Sequence, residues 1–302
     1  MRRVSTSALA LLAAFALGAA CSPDTRDEPE DDDTDTETDP GCDCDGLDES
    51  PTGQAAAMNL CPEAYLVSAT RDMTSSGGLA GFGIVQQLGN SDCLEAPHGC
   101  AMLAIATGPL SEDNPNEAED MGGGTGDIAL DPQPEYQGGN PTTADPYEAC
   151  DRNQLRTTLT VPDGKKGFSF DFLFASAEYP EYLDVGFNDT FYAIMEYAAL
   201  NGGATTNIAF DDLGNEIEVD AEFFENAVHP CSEAGSHWSQ TIDGGAGSTG
   251  WLRTSWPAAA GDTFDLTFSI HDEGDCNFDS MVLLDHFRWL GEQPPGVTIP
   301  IE

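Results

Sequence analysis

Residues 168–174 read FSFDFLF, and this run decides the fold. Phe168, Phe170, Phe172 and Phe174 recur with a period of two, which in an extended chain puts all four rings on one face of a strand. The preceding LRTTLTV, residues 155–161, has strand character, and PDGKKG between the two runs carries the Pro, Asp and Gly of a turn, so together they predict a hairpin. FDLTFSI at 264–270 alternates in the same way, and MVLLDHFRW at 281–289 predicts a closing strand. TFYAIMEY, TNIAF, EIEV and GWLRTSW supply further strands, and the only helix expected lies near Ala221 to Ala227. Short alternating runs broken by Gly, Asn, Asp and Pro predict an all-β domain, an antiparallel, jelly-roll-like β-sandwich with long irregular loops. Asp285 sits awkwardly in this scheme. Alternation puts it on the face of Leu283 and Phe287, so it is either a buried, partnered acid or the mark of a different register.

Outward from these strands the composition divides the chain. Residues 53–292 predict one domain large enough to bury its own core, with 293–302 as a C-terminal tail. Within it, the stretch from Gly108 to Asp151 is long, irregular and acidic, and reads either as a functional surface loop or as a mobile one. Ser22 to Thr52 is almost devoid of apolar side chains and dense in carboxylates, which predicts a self-repelling, disordered tether. Ahead of it, Arg2 and Arg3 precede ALALLAAFALGAA, a run too short to remain as a membrane-spanning helix, so residues 1–20 predict a cleaved signal peptide. Gly18, Ala19 and Ala20 before Cys21 resemble a bacterial lipobox, with Gly18 where a bulky aliphatic residue is usual and Leu17 one place further back. Cys21 is therefore expected to carry lipid and to anchor the mature protein at the bacterial outer membrane or cell surface; ordinary secretory cleavage nearby is the alternative.

Nine cysteines become eight once Cys21 is acylated, and in an exported chain eight predict disulfides rather than a thiolate metal site. Cys93 and Cys100 bracket a short polar loop and are the expected local bridge, whereas Cys42 and Cys44 stand too close to pair with each other. A formal charge of -44 makes nucleic acid a poor partner, because its phosphates need Lys and Arg. The same excess suits calcium or a salty exterior, or is simply a solvated surface.

Two acidic, aromatic stretches stand out at strand ends: FLFASAEYPEYLDVGFNDTFYAIM at 172–195 and FSIHDEGDCNFDSMVLLDHFRW at 268–289. Both resemble signatures of the bacterial extracellular choice-of-anchor L domain, the first its FASEEYPEY followed by FND and F, the second its D-x-GD-x-x-FDS segment. A third match is CAMLAIATGPL at 100–110, similar to an early apolar strand ending in STG, here Ala106, Thr107 and Gly108. The resemblance runs over roughly residues 62 to 290. It implies a β-sandwich-like module found with many surface-attachment signals and with no general enzymatic activity. One departure stands out: the family pairs two glutamates where this chain has Ala177 and Glu178.

Read from the residues themselves, the acidic stretches suit calcium, which takes six to eight oxygens from carboxylates, carbonyls and amides on turns. Asp272, Glu273, Asp275, Asn277 and Asp279 surround Gly274, and Glu178, Asn188 and Asp189 would complete a shell if the two segments meet. The alternative is that these side chains cap turns. The spacing is not that of an EF-hand. Tyr179, Tyr182, Trp238, Trp251 and Trp256 would suit a sugar-stacking platform, though core packing is the commoner use of such rings. Catalysis finds little support: no HExxH surrounds the five histidines (His98, His229, His237, His271, His286), and no GxSxG occurs. The expected function is a lipid-anchored, calcium-binding surface module for adhesion or for binding extracellular glycan or a surface protein. The rivals are an extracellular polymer hydrolase using an acidic pair and a structural envelope lipoprotein.

Overall fold

Phe168, Phe170, Phe172 and Phe174 are all fully buried in one hydrophobic core, as their period of two requires. The computed structural model describes residues 47–73, 81–88, 94–96, 98–99, 101–108, 149–176, 178–179, 183, 189–211, 213–221, 223, 247–273 and 280–301. In chain order the elements are α1 (Pro51–Ala57), β1 (Leu66–Met73), β2 (Phe82–Val85), β3 (Gln87–Leu88), β4 (Leu94–Glu95), β5 (Met102–Ala106), β6 (Ala149–Thr160) and β7 (Gly167–Ser176). They continue with β8 (Thr190–Glu196), β9 (Thr205–Asn207), β10 (Ile217–Glu218), β11 (Gly247–Pro257), β12 (Thr263–Glu273), β13 (Ser280–Leu290) and β14 (Val297–Pro300). One six-stranded sheet runs β1-β6-β12-β8-β10 with β9 also on β8; the other runs β14-β11-β7-β13-β5-β2; β3 and β4 pair alone. Every pairing is antiparallel, and the two large sheets make an all-β sandwich.

The expected hairpin from 155–161 to 168–174 does not form. β6 pairs with β1 and β12 in one sheet, while β7 pairs with β11 and β13 in the other, so PDGKKG arches across the sandwich. The apolar faces of the two strands look at each other across the core instead of lying side by side. Phe168 stacks on Phe264 at 5.1 Å, Phe170 meets Phe268 edge-on at 5.1 Å, and Phe172 meets Phe191 at 5.0 Å. Each pair joins β7 to a strand of the opposite sheet. Burying such a ring contributes roughly 1.5–3 kcal/mol, and four of them on β7 favour the pairing that packs them against the opposite sheet.

The outer face of the β7 sheet is also covered. Val85, Met102, Ala104, Ala106, Leu173, Ala175, Met281 and Leu283 form a second buried cluster on it, with Ala96 and Trp251 packed against them. β13 is thus central, flanked by β7 and β5, and does not close the sheet as expected. Its register slips between Asp285 and Arg288, and His286 takes a left-handed φ of 52°. The bulge puts Asp285 on the outer face with Leu283 while Phe287 turns into the core. Asp285 is fully buried and hydrogen-bonded, so both halves of the sequence expectation apply.

Both ends of the domain reach further than composition suggests. Ser50 caps α1, accepting a hydrogen bond from Gly53 N, and Pro51 stands in its first turn; Ala55, Ala57 and Met58 enter the core. β14, in the stretch expected as a tail, pairs with β11 through Val297–Pro300, and Thr298 is buried against Thr254. The helix expected near Ala221 lies largely outside the described residues, as do Cys21, Cys93 and Cys100. Cys61 is buried and disulfide-bonded. No helix among the described residues is long and apolar enough to cross a membrane.

Candidate functional site

The acidic signatures lie at one end of the sandwich. Residues 177–189 lead from the end of β7 to the start of β8, and 274–279 lead from the end of β12 to the start of β13, so both connections cross between the sheets at the same pole. Ser280 faces Ser176 in the β13–β7 ladder, and Thr190 faces His271 in the β8–β12 ladder. That second register brings Asp189 to the position next to Asp272. Glu178 is tied to the same point, because its carboxylate accepts a hydrogen bond from Asp189 N at 3.3 Å while its own N–H donates to Ser176 Oγ at 3.0 Å. The strand register alone relates the first segment to the second, through the Thr190–His271 pair. Glu178, Asp189 and Asp272 are each no more than 1% exposed. Burying a carboxylate is costly unless hydrogen-bond donors or a cation offset its charge. Asn188, Asp275, Asn277 and Asp279 lie outside the described residues. His271 is buried and stacks on Tyr192 at 5.5 Å.

The opposite pole carries a cleft of about 510 Å³. Its walls come from the β6–β7 arch (Gly164, Lys165, Lys166), the segment after β8 (Tyr197, Leu200) and the end of β11 (Trp256 to Ala260). β7 has ten residues, which places the two poles about 30 Å apart. Lys165 and Lys166 are the only lysines in the chain. Trp256 is braced edge-on by Phe210 at 6.1 Å and by Gly296, where an added Cβ would come within 2.7 Å of the indole. Tyr197 donates to Asp262 at 2.6 Å, and burial together with that bond raises its pKa. Of the expected aromatic platform only Trp256 lines this cleft. Tyr179 packs on the core, Trp251 on the outer cluster, and Tyr182 and Trp238 lie outside the described residues.

The choice-of-anchor L domain matches residues 106–287, from the last residue of β5 to Phe287 of β13, and so takes in both acidic signatures. The chain belongs to the choice-of-anchor L domain family. No curated protein sequence matches it. Among solved structures, this choice-of-anchor L domain is similar to TmCBM61 in complex with β-1,4-galactotriose, at 10% identity over 75% of this chain and 90% of that one, TM-score 0.31. It is also similar to CBM28, a carbohydrate-binding module specific for non-crystalline cellulose, at 12% identity over 70% and 89%, TM-score 0.29. A third is the K2 cleaved adhesin domain of Lys-gingipain, at 13% identity over 73% and 87%, TM-score 0.30.

The outer face of the β7 sheet holds a polar cluster that the sequence reading missed. Asp171 stands between Arg253 on β11 and Asp285 on β13 in the ladder register. Arg253 grips its carboxylate with both prongs, Nε to Oδ1 at 2.6 Å and Nη2 to Oδ2 at 2.8 Å. His286 Nδ1 lies 3.1 Å and His98 Nε2 3.7 Å from the same Oδ2, and the two imidazoles stack at 3.5 Å. Burial pushes Asp171 toward protonation, but the bonds from Arg253 and His286 outweigh it and hold the carboxyl below its usual value. Asp285 goes the other way. Burial, with the charge of Asp171 adding to it, pushes its carboxyl up to about 7, although it accepts the backbone N–H groups of His98 and His286. One signal was available in the sequence: Asp171 is the lone acid inside FSFDFLF, and in a strand it had to occupy the face opposite the rings.

Proposed function

We propose that the chain is a surface-displayed, non-enzymatic binding module that takes a neutral glycan in the cleft lined by Trp256 and the two lysines. The cleft itself carries this reading. It has the volume of a small-ligand site, an aromatic ring for the apolar face of a sugar, and donors for hydroxyls in Lys165, Lys166 and Gln293. Its described walls contain no carboxylate, and the buried acids of the other pole stand about 30 Å away. A glycosidase needs two carboxyl groups flanking the scissile bond, so the arrangement favours binding over hydrolysis. The net charge of -44 disfavours a polyanionic ligand.

Membership of the choice-of-anchor L family supports display outside the cell. We assign attachment to lipid on Cys21, which mass spectrometry of the native amino terminus tests: an unmodified Cys21, or a mature chain starting elsewhere, rejects it. At the acidic pole we assign calcium to Glu178, Asp189, Asp272, Asp275 and Asp279, a reading supported by the burial of the first three and by the bond from Asp189 N to the Glu178 carboxylate. The ligand assignment is tested with neutral and uronic-acid oligosaccharides against the purified domain. Binding of a neutral oligosaccharide that is insensitive to salt is expected. Trp256→Ala should weaken it about tenfold, the ~1.5 kcal/mol upper end of an aromatic contact, and Lys166→Gln a few-fold. Neutral oligosaccharides that fail to bind, or that bind Trp256→Ala as tightly as wild type, would reject the cleft as the site.

A further inference from the structure

We infer that His98, Asp171 and His286 form a binding site for a divalent transition metal of the zinc class, on the outer face of the β7 sheet and separate from both the cleft and the acidic pole. Each residue offers one ligand atom, and the three atoms lie within 4.8 Å of one another. The two edges to Asp171 Oδ2 are 3.1 and 3.7 Å. A tetrahedral ion with ligand bonds of about 2.0–2.1 Å has edges of about 3.3 Å, so both edges bracket the required length. Two imidazole nitrogens and one carboxylate suit zinc, copper or nickel. They do not suit calcium, which takes oxygen ligands.

The surroundings hold these ligands in place. The Arg253 fork fixes the plane of the Asp171 carboxylate and uses one lone pair on each oxygen, which leaves the second lone pair of Oδ2 toward the histidines. The bulge on β13, with His286 at φ 52°, turns that ring outward. Asp285 accepts the backbone N–H of both His98 and His286 and so ties the loop bearing His98 to the strand bearing His286. Partners that orient ligands in this way commonly change metal affinity 10–100-fold. The site is also reachable: the His98 side chain is 40% exposed and that of His286 19%, while Asp171 is fully buried beneath them. The stacked rings, 19° from parallel, must splay for both nitrogens to point at one ion. His98, half-exposed on a loop, is the ring free to tilt.

Without a metal, the same three groups form a hydrogen-bonded cluster, and the experiment separates the two states. Full-length protein is stripped with chelator, dialysed, and titrated with Zn2+ by calorimetry and with Co2+ by visible absorption. One equivalent of Zn2+ should bind, and Co2+ should give d–d bands without a thiolate charge-transfer band. His98→Gln and His286→Gln should each weaken binding at least tenfold, and the double variant should lose the equivalent. Asp275→Asn with Asp279→Asn, at the other site, should leave it unchanged. A double variant that binds Zn2+ like wild type, or a Co2+ spectrum that stays that of the free aquo ion, overturns the proposal. Should His286→Gln unfold, His98→Gln decides alone, because its half-exposed ring can be replaced without opening the core.

Discussion

Replacing Asp285 with Asn should remove a pH dependence that burial has built into the sandwich. In the folded protein the Asp285 carboxyl is pushed up to about 7 from its ordinary value of 3.8, chiefly by burial. Between those two values the folded chain holds a proton that the unfolded chain has lost. Stability then falls as pH rises, by about 1.4 kcal/mol for each pH unit. The span is a little over three units, so the cost of an ionised Asp285 is absent below pH 3.8 and reaches about 4 kcal/mol above pH 7. Asn has no proton to lose. It also gives up one of the two acceptors used by His98 N and His286 N, a penalty of about 1–3 kcal/mol that does not vary with pH. The diagnostic is therefore the slope. Urea unfolding of wild type and Asp285→Asn, followed by tryptophan fluorescence in chelator from pH 4 to 8, should show the variant gaining about 4 kcal/mol on wild type across that range. Carboxylates remote from Asp285 contribute alike to both proteins and drop out of the difference, while Asp171, whose charge is felt by Asp285, is part of the effect measured. Parallel curves would refute the reasoning, since they would mean that Asp285 ionises no differently in the folded and unfolded chains.

Arg253→Met should cost roughly 3 kcal/mol, the lower end for breaking a buried ion pair because the Arg253 side chain is 24% exposed. Asp171 has a lowered pKa and so adds stability above its ordinary value that is lost as pH falls through the folded value; the acid limb of the wild-type curve should flatten in this variant, and an unchanged limb would contradict the assignment. Truncation after residue 292 removes β14 and leaves β11 as an open edge, so a lower melting temperature and new self-association are expected by calorimetry and light scattering; a truncated chain that melts like wild type would show β14 to be dispensable. Calcium at 100-fold its Kd should stabilise by about 2.7 kcal/mol, and Asp275→Asn or Asp279→Asn should abolish the shift without unfolding the calcium-free domain. Equal melting temperatures in calcium and in chelator would remove calcium from the acidic pole.

Where sequence reasoning failed, it failed over partners and ends. The Ser50-Pro51 cap and first turn of α1 were legible as a helix start, but the acid-rich stretch before them hid it. Val297–Pro300 is too short to announce a strand, and it becomes one only because β11 presents an edge for it. The polar cluster around Asp171 draws on residues 98, 171, 253, 285 and 286, which no local motif connects.

By itself the sequence determined the strand character of 168–174, 264–270 and 281–289 and the inward face of the four phenylalanines, because side chains alternate strictly along an extended backbone. It also identified the two acidic connections as one family signature. Only the tertiary structure decided that β6 and β7 lie in different sheets, that Glu178 and Asp189 are buried and hydrogen-bonded to each other, and that a bulge frees Asp285 from the core face. The reason is physical. Alternation specifies which way a side chain points, but not which strand stands beside it; that is set by how rings from distant segments, such as Phe170 and Phe268, fill a common space.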